Sequence, residues 1–260
     1  MYIKATAKSK TLMRGADFHV ILPYHDGYPD AKRPYPTLYF LPGFSASAEE
    51  IAFALPLRQM SALYGVAVVV PDGENAFYTD HPDQAFRMGE YAGKELVEIT
   101  RKMFPCLSHE REDTFIGGIS MGGYGALING LRFADTFSKI AMLSPALGFK
   151  RQDDEPTPGS PSPKGELLAT LGTWEEYRGS YRDYSWAAAE AAKSPEAMPD
   201  MFLACGKSDG LITPAKEFAT QMESLHTPLA WYEAEGGHDH TFWKQALTPM
   251  FRFLTGKEDA

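Results

Sequence analysis

Three residue types that together perform nucleophilic catalysis occur along the chain in the order Ser120, Asp209, His238. A serine hydroxyl is a weak nucleophile at neutral pH, so an imidazole must accept its proton during attack and return it to the leaving group. A carboxylate must hold that imidazole in the correct tautomer and stabilise its cation. The order Ser, Asp, His differs from the orders of trypsin-like and subtilisin-like proteases. The three residues therefore predict acyl transfer through a serine nucleophile.

The serine lies in the motif Gly118-x-Ser120-x-Gly122, between an apolar run at 115–119 and a helix of small residues. A strand that turns sharply into a helix strains the turn residue, and flanking glycines remove the Cβ atoms that would clash there. By itself the motif is weak evidence, because an ordinary glycine-rich turn gives the same pattern. In this context it predicts an exposed hydroxyl with the N–H of Met121 beside it, at a helix N-terminus that can stabilise negative charge.

Asp209 and a histidine each follow a predicted buried strand, over residues 201–206 and 229–234. The carboxyl ends of parallel strands meet at one edge of a sheet, where active sites are built. On its own, the aspartate is equally well explained as a loop-capping residue, and the histidine as a plain loop residue. Together with the serine motif they indicate one site. Both His238 and His240 lie in the last loop, and the residues alone leave the choice between them open.

The elements that must position these residues alternate between strand and helix, which predicts an α/β fold with a mostly parallel sheet and helices on both faces. Further buried strands are predicted at residues 37–43, 65–72 and 139–145, and an edge strand at 18–22, before Pro23. Helices are predicted at 48–64 with a break at Pro56, at 86–104, from a Thr213 cap with Pro214 in the first turn, and at about 241–254.

Two loops at predicted strand ends are candidates for contact with a substrate. Phe44, after the strand that ends near Gly43, can present a second backbone N–H near the serine, although an ordinary strand-to-helix turn explains the same pattern. The loop 73–80 carries Asn75 and Tyr78, which suit either substrate contact or hydrogen bonds to their own backbone.

The composition changes between about residues 146 and 199, where we expect a small insertion that caps the sheet edge of a single domain spanning 1–260. Residues 152–163 are proline-rich and polar and predict a mobile loop. The aromatic residues that follow, beginning with Trp174, either line a pocket or only anchor the cap to the body.

Composition excludes several classes of partner. The net charge of −9 argues against nucleic acid and against an anionic membrane surface. Cys106 and Cys205 have no metal-ligand spacing and are too few for a disulfide framework, and there is no phosphate-binding glycine motif. We therefore expect a small-molecule substrate, no metal and no cofactor. The N-terminal segment has no apolar core of signal-peptide length and no run reaches membrane-spanning length, so we expect a cytoplasmic protein. The oligomeric state stays open, with a homo-oligomer allowed.

Several stretches resemble the putative-esterase family of the α/β-hydrolases, which includes tributyrin esterases, S-formylglutathione hydrolases, feruloyl esterases and mycolyltransferases. They are residues 38–44, 69–80, 115–127, 205–209 and 236–243, and residues 171–180 are similar to the tributyrin-esterase cap. The resemblance covers nearly the whole chain outside the proline-rich loop. It implies an α/β-hydrolase fold and a tributyrin-esterase-like activity.

Position by position, the resemblance implies that Ser120 is the nucleophile, Asp209 the acid and His238 the base, with the N–H groups of Phe44 and Met121 as the oxyanion hole. The pattern Gly-x-His-x-x-x-Phe-Trp of tributyrin and feruloyl esterases selects His238, whereas the S-formylglutathione branch, in which the histidine follows an aspartate, selects the other histidine of this loop. The family also usually has a histidine before the glycine of 41–43, which this chain lacks. A backbone donor does not depend on that side chain.

These features predict a serine carboxylesterase that cleaves short-chain acyl esters, with no cofactor. Asn75, Tyr78 and the aromatic cap with Trp174 suggest a sugar as the alcohol. One alternative is an S-formylglutathione hydrolase-like thioesterase or an acyltransferase that uses the same acyl-enzyme. Another is a non-catalytic binding protein of the same fold, against which the complete Ser–Asp–His set argues.

Overall fold

Apolar runs form the strands of a central sheet. In the computed structural model, which describes residues 1–23, 34–80, 87–148 and 170–257, the strands are β1 (Tyr2–Lys8), β2 (Gly15–Ile21), β3 (Thr37–Leu41), β4 (Ala67–Pro71), β5 (Thr114–Ile119), β6 (Lys139–Leu143), β7 (Asp200–Gly206) and β8 (Leu229–Ala234). Within these ranges the eight strands make one sheet in the order β1-β2-β4-β3-β5-β6-β7-β8. All pairings from β4 to β8 are parallel, which confirms the predicted α/β fold with a mostly parallel sheet.

The antiparallel end of the sheet differs from the sequence prediction. β2 is not the edge strand, because it pairs with β4 on one side and with β1 on the other. Every residue of β1 pairs with β2, from Tyr2 opposite Ile21 to Lys8 opposite Gly15. Sequence reasoning missed β1 because its residues are only half-buried or exposed, so its apolar signal is weak.

Helices cover both faces of the sheet. They are α1 (Ala48–Ala54), α2 (Leu57–Tyr64), α3 (Met88–Glu90), which continues through a π-helical turn (Tyr91–Glu95) into α4 (Leu96–Met103), α5 (Met121–Arg132), α6 (Trp174–Tyr177), α7 (Tyr184–Ala191), α8 (Ile212–Ser224) and α9 (His240–Thr255). Pro56 separates α1 from α2, as predicted, because proline has no N–H to continue the first helix.

The start of α8 corrects another prediction. Thr213 does not cap this helix, which begins at Ile212 without a side-chain cap. The carboxylate of Asp209 instead accepts the N–H of Leu211, just before the helix. Asp209, which the sequence predicts to be catalytic, thus also stabilises the loop between β7 and α8 in which it lies.

Two apolar layers make the core, one on each face of the sheet. In β3, Tyr39 and Leu41 join the layer formed with α4, α5, α7 and α8, while Leu38 and Phe40 join the layer formed with α1, α2 and α9. Successive side chains of a strand point to opposite faces, so a strand buried on both faces is apolar throughout. This arrangement fixes the carboxyl ends of β3 to β8 at one edge.

The segment between β6 and β7 packs over α5. The Tyr124 hydroxyl of α5 donates to the carbonyl of Arg182 at 2.7 Å, and the Tyr181 hydroxyl accepts the N–H of Asp80 at 2.6 Å. These aromatics anchor the segment to the body. The proline-rich loop 152–163, predicted to be mobile, lies outside the described residues. In the described part of the chain, no helix combines the length and the apolar character needed to cross a membrane.

Candidate active site

The turn between β5 and α5 holds Ser120 in a strained backbone conformation, with a φ of 54° and a ψ of −114°. A Cβ atom at Gly118 would lie 2.4 Å from the carbonyl oxygen of Gly122, and one at Gly122 would lie 1.9 Å from that of Leu41. Both glycines of the motif are therefore required by close backbone contacts. The Ser120 N–H donates to the Leu143 carbonyl, which helps to hold the turn.

Loops from three strands bring Ser120, His238 and Asp209 together. Nε2 of His238 lies 2.9 Å from Oγ of Ser120, and Nδ1 lies 2.9 Å and 3.1 Å from the two carboxylate oxygens of Asp209. An ionised carboxylate only accepts hydrogen bonds, so Nδ1 carries the proton and Nε2 is free to accept one from the serine. This is the geometry that a general base needs.

His240, the competing histidine, lies outside this series of contacts. Asp239 caps α9 by accepting the N–H groups of Thr241 and Phe242, so the chain turns into the helix just before His240. The His240 ring is exposed and packs on the Trp243 ring at 5.1 Å. Its position suits a surface residue.

The environment of Asp209 keeps its carboxylate ionised. Burial favours the neutral acid, but hydrogen bonds from His238, from the Leu211 N–H and from Ser144 outweigh burial and lower the pKa of Asp209. The neighbouring Cys205 is buried, and burial together with the negative charge of Asp209 raises its pKa to about 12. The thiol is thus protonated beside the carboxylate.

Sequence reasoning missed Ser144, which follows β6 in a buried left-handed conformation with a φ of 45°. Trp243 entered the sequence analysis only as part of a family pattern. The Trp243 indole N–H donates to Oγ of Ser144 at 3.1 Å, and its ring meets the His238 ring edge-on, with centroids 5.2 Å apart. A polar residue at the end of a buried parallel strand was the signal that could have identified Ser144.

The two predicted oxyanion donors lie on segments that adjoin the serine turn. Met121 is the first residue of α5, so its N–H has no acceptor within the helix. A Cβ atom at Gly43 would lie 3.5 Å from that of Ser120, so the segment that carries Phe44 packs against the serine turn. Among the described residues, no atom accepts a hydrogen bond from the backbone N–H of Phe44 or Met121.

The residues predicted to contact substrate differ in exposure. Tyr78 is fully buried and its hydroxyl donates to the Pro42 carbonyl at 3.1 Å, so the expected contact between its side chain and a substrate is wrong. Asn75 is half-buried, and its Oδ1 accepts the N–H of Ser45 at 2.7 Å. Trp174 is half-buried in α6, and its buried indole nitrogen has no hydrogen-bond partner in the described part of the chain.

Within residues 1–23, 34–80, 87–148 and 170–257, no group of three or more His, Cys, Asp or Glu residues could hold a metal ion.

Comparisons with known proteins identify the family and the fold of this chain. The sequence profile of the family described as "Putative esterase" matches residues 9–254. The acetyl esterase of Caldicellulosiruptor saccharolyticus is 32% identical over 230 residues, which cover 86% of this chain and 84% of that protein. The S-formylglutathione hydrolase of Paracoccus denitrificans (strain Pd 1222) is 30% identical over 139 residues, 45% of this chain and 49% of that protein.

A solved structure of similar fold is FphF, a fluorophosphonate-binding serine hydrolase of Staphylococcus aureus, in a substrate-bound form. It superposes with a TM-score of 0.85 and covers 99% of both chains at 24% identity. At this identity the likeness establishes the shared fold.

Proposed function

The chain belongs to the Putative esterase family and is a serine carboxylesterase, and we propose that it hydrolyses short-chain acyl esters through an acyl-enzyme on Ser120. The observation that carries this proposal is the hydrogen-bonded series from Ser120 through His238 to the buried carboxylate of Asp209. A protein that only binds a ligand has no need of this series.

In the acylation step, Oγ of Ser120 attacks the ester carbonyl carbon while its proton passes to Nε2 of His238. The carbonyl oxygen becomes negative and accepts hydrogen bonds from the N–H groups of Phe44 and Met121. When the tetrahedral intermediate collapses, the bond from carbon to the alcohol oxygen breaks. His238 gives its proton to that oxygen, and the alcohol leaves.

Deacylation repeats the same steps with water. His238 takes a proton from a water molecule as the water oxygen attacks the acyl carbon. The bond from that carbon to Oγ of Ser120 then breaks, the serine recovers its proton from His238, and the carboxylic acid leaves. Asp209 stays ionised throughout and stabilises the imidazolium that forms in each half of the reaction.

The acyl group that we propose is small, with acetyl as the first candidate. Support comes from the acetyl esterase of Caldicellulosiruptor saccharolyticus, which aligns with 86% of this chain. Phe44 and Phe77, whose ring centroids lie 6.0 Å apart, give the segment beside Ser120 an apolar wall.

For the alcohol, we propose a polar group such as a sugar. The amide nitrogen of Asn75 has no acceptor among the described residues and is suited to donate to hydroxyl oxygens. Trp174 stays a candidate only through the exposed part of its ring, because its indole nitrogen is buried. Tyr78 takes no part, because its side chain is buried.

Hydrolysis of p-nitrophenyl esters from acetate to octanoate tests this function. We expect kcat/KM to be highest for acetate or butyrate and to fall about 10-fold or more by octanoate. Ser120→Ala is expected to lose hydrolysis and labelling by a fluorophosphonate. Equal kcat/KM for the acetate and hexanoate esters would contradict the proposal of a small acyl pocket. A wild-type protein that is neither active nor labelled would leave a binding protein as the better explanation.

S-formylglutathione hydrolysis is the second candidate, because the Paracoccus denitrificans relative carries that name. The family branch with this activity selects the histidine at position 240, whereas here His238 contacts Ser120. We therefore rank ester hydrolysis first. Turnover of S-formylglutathione at a higher kcat/KM than p-nitrophenyl acetate would reverse the ranking, and ester products formed with added alcohols would indicate acyl transfer.

The cytoplasmic location, the single domain with a cap over about 146–199, and the choice between monomer and homo-oligomer stay predictions. The free thiols of Cys106 and Cys205 are compatible with a reducing compartment.

A further inference from the structure

The segment that carries the Phe44 N–H is irregular backbone between β3 and α1. Ser45 has a φ of 62°, and the backbone hydrogen bond within the segment runs from the Ala46 N–H to the Gly43 carbonyl. This single hydrogen bond is long, at 3.3 Å, and cannot by itself fix the position of the Phe44 N–H. Since misplacing a catalytic donor by about 1 Å costs up to about 100-fold in rate, something else must hold the segment in place.

The loop that follows β4 supplies three side-chain contacts to this segment, one at each end and one in the middle. The Tyr78 hydroxyl donates to the Pro42 carbonyl at 3.1 Å. Oδ1 of Asn75 accepts the Ser45 N–H at 2.7 Å. Oδ1 of Asp72 accepts the N–H of Ala48, the first residue of α1, at 2.6 Å. In each contact the partner within residues 42–48 is a backbone atom. The three contacts therefore fix the path of the backbone in this segment.

The supporting loop has an uncommon backbone conformation. Glu74, Asn75, Phe77 and Tyr78 all have φ values between 49° and 54°, which non-glycine residues adopt only where the surroundings over-determine the backbone. Such residues cluster at functional sites. Tyr78 has no exposed surface and burial raises its pKa well above the usual value, so its hydroxyl stays protonated and can donate.

Tyr78 also connects the segments that carry the two donors. Nδ2 of Asn129, in α5, donates to the Tyr78 carbonyl at 2.9 Å, while the Tyr78 hydroxyl holds Pro42. α5 begins at Met121 and the other segment carries Phe44, so one buried tyrosine spans the two elements that present the oxyanion N–H groups. Their separation is thereby set by the fold.

We propose that Asp72, Asn75 and Tyr78 are positioning residues of the oxyanion hole, which hold residues 42–48 so that the Phe44 N–H faces the reacting carbonyl. The inference rests on the proposed function, because it takes that N–H as an oxyanion donor. It gives Asn75 and Tyr78 a role that acts through backbone. For Asn75 this role is separate from the proposed contact between its amide nitrogen and a sugar hydroxyl, which p-nitrophenyl acetate lacks. Because negative charge develops on the oxygen only in the transition state, the effect of these residues belongs to kcat and not to KM.

The experiment uses pairs of variants that separate the hydrogen bond from the backbone conformation. Asn75→Gly accepts a positive φ but has no side-chain acceptor, whereas Asn75→Asp keeps an acceptor oxygen. We expect Asn75→Gly to lower kcat for p-nitrophenyl acetate about 10- to 100-fold with KM within about twofold. Asn75→Asp is expected to recover kcat to within about threefold of the wild type. Glu74→Gly is the matched control, since Glu74 has the same backbone conformation but pairs with Arg14 at the surface.

A second readout is inhibition by a trifluoromethyl ketone, which forms a tetrahedral adduct with an oxyanion. Its binding is expected to weaken in Asn75→Gly by about the factor lost in kcat, with no change in Glu74→Gly. Tyr78→Phe removes a single hydroxyl and provides the same test if Asn75→Gly does not fold. Wild-type kcat in both Asn75→Gly and Tyr78→Phe would overturn the inference. A raised KM with unchanged kcat would overturn it too, because that result indicates direct contact with substrate.

Failure of this inference is distinguishable from failure of the proposed function. If the wild type is labelled by a fluorophosphonate at Ser120 while both loop variants keep full kcat, only the positioning role is wrong. If Ser120 is not labelled, or Ser120→Ala keeps full activity, the proposed function is wrong and the positioning role falls with it.

Discussion

The orientation of the His238 ring depends on side chains that touch no substrate. Asp209 binds Nδ1, and the Trp243 ring packs against the imidazole at 5.2 Å, while Ser144 holds the indole N–H at 3.1 Å. About a third of the His238 side chain (36%) faces solvent. Water does not fix the orientation of the ring on that side, so the orientation depends on the side chains that contact the rest of it. A small rotation would take Nε2 away from Ser120.

Substitution of Trp243 by phenylalanine tests this arrangement. The change removes the hydrogen bond to Ser144 and shortens the ring that packs on His238. We expect kcat for p-nitrophenyl acetate to fall about 10-fold while KM changes less than about twofold. Trp186→Phe is the control, because Trp186 is 41% exposed on α7. Equal kcat values for the two variants would show that Trp243 does not position the base.

Asp209 predicts a pH dependence of stability. Its folded-state pKa lies below the ordinary value of 3.8, so the unfolded chain binds the proton more readily. The stabilisation is therefore fully present above pH 3.8 and is lost as the pH falls through the lower, folded-state pKa. We expect the free energy of unfolding of the wild type to drop in this window more steeply than that of Asp209→Asn. Denaturant unfolding at pH values from about 2.5 to 6 measures both curves, and parallel curves would contradict the prediction.

At this scale the sequence predicts the three side chains in contact better than it predicts the residues that support them. Ser120, Asp209 and His238 were identifiable because a hydroxyl, a carboxylate and an imidazole after strand ends have few other common purposes in combination. Ser144 was not identified, since its one signal, a polar residue at the end of a buried strand, does not distinguish a supporting residue from an ordinary strand end. Tyr78 was misassigned because residue type and loop position do not reveal burial, and its ring points into the core.

Helix α5 depends on the absence of a side chain at one position in its first turn. A Cβ atom at Gly122 would lie 1.9 Å from the Leu41 carbonyl oxygen, and backbone cannot move away as a flexible side chain can. We expect Gly122→Ala to lower the free energy of unfolding by at least about 2 kcal/mol. Gly210→Ala, with no atom within 4 Å of its new Cβ, should change it by less than about 0.5 kcal/mol. Equal urea midpoints for the two variants would mean that the turn tolerates a methyl group.

Strands and helices were predictable where the apolar sequence pattern matches the burial of the side chains. β8 was predicted at residues 229–234, as observed, and Pro56 separates α1 from α2. β1 was missed because half-buried edge residues carry little apolar signal. Thr213 was a reasonable cap by propensity, but the Asp209 carboxylate binds the backbone just before the helix and takes that place.

Across the whole molecule, the segment between β6 and β7 is held to the body by tyrosines. Tyr181→Phe removes the hydroxyl that accepts the Asp80 N–H but keeps the ring over the Arg132 guanidinium, 4.3 Å away. We expect faster hydrogen–deuterium exchange of amides in residues 173–191, with the sheet unchanged, because the segment opens more often. Tyr232→Phe, at a ring that packs on Phe242, is the control. Unchanged exchange in Tyr181→Phe would show that other contacts hold the segment.

The mostly parallel sheet was predictable because buried apolar runs alternate with helices, whereas the strand order and the edge strand β1 were not. Parallel strands place their exit loops at one edge, which is why three distant residues could be assigned to one site. The packing of the aromatic residues between β6 and β7 was not predictable. Whether such a ring lines a pocket or anchors a segment depends on which partner it meets, as Tyr181 meets the Asp80 N–H.

The pairing of Ser120 with His238 is the contact on which the whole mechanism depends, and one comparison tests it. Hydrolysis of p-nitrophenyl acetate would be measured for the wild type, Ser120→Ala, His238→Ala and His240→Ala, together with fluorophosphonate labelling. We predict that Ser120→Ala and His238→Ala lose about 1,000-fold or more of kcat, while His240→Ala stays within about threefold of the wild type. An inactive His240→Ala beside an active His238→Ala would contradict the assignment of the base, and an active Ser120→Ala would contradict the mechanism.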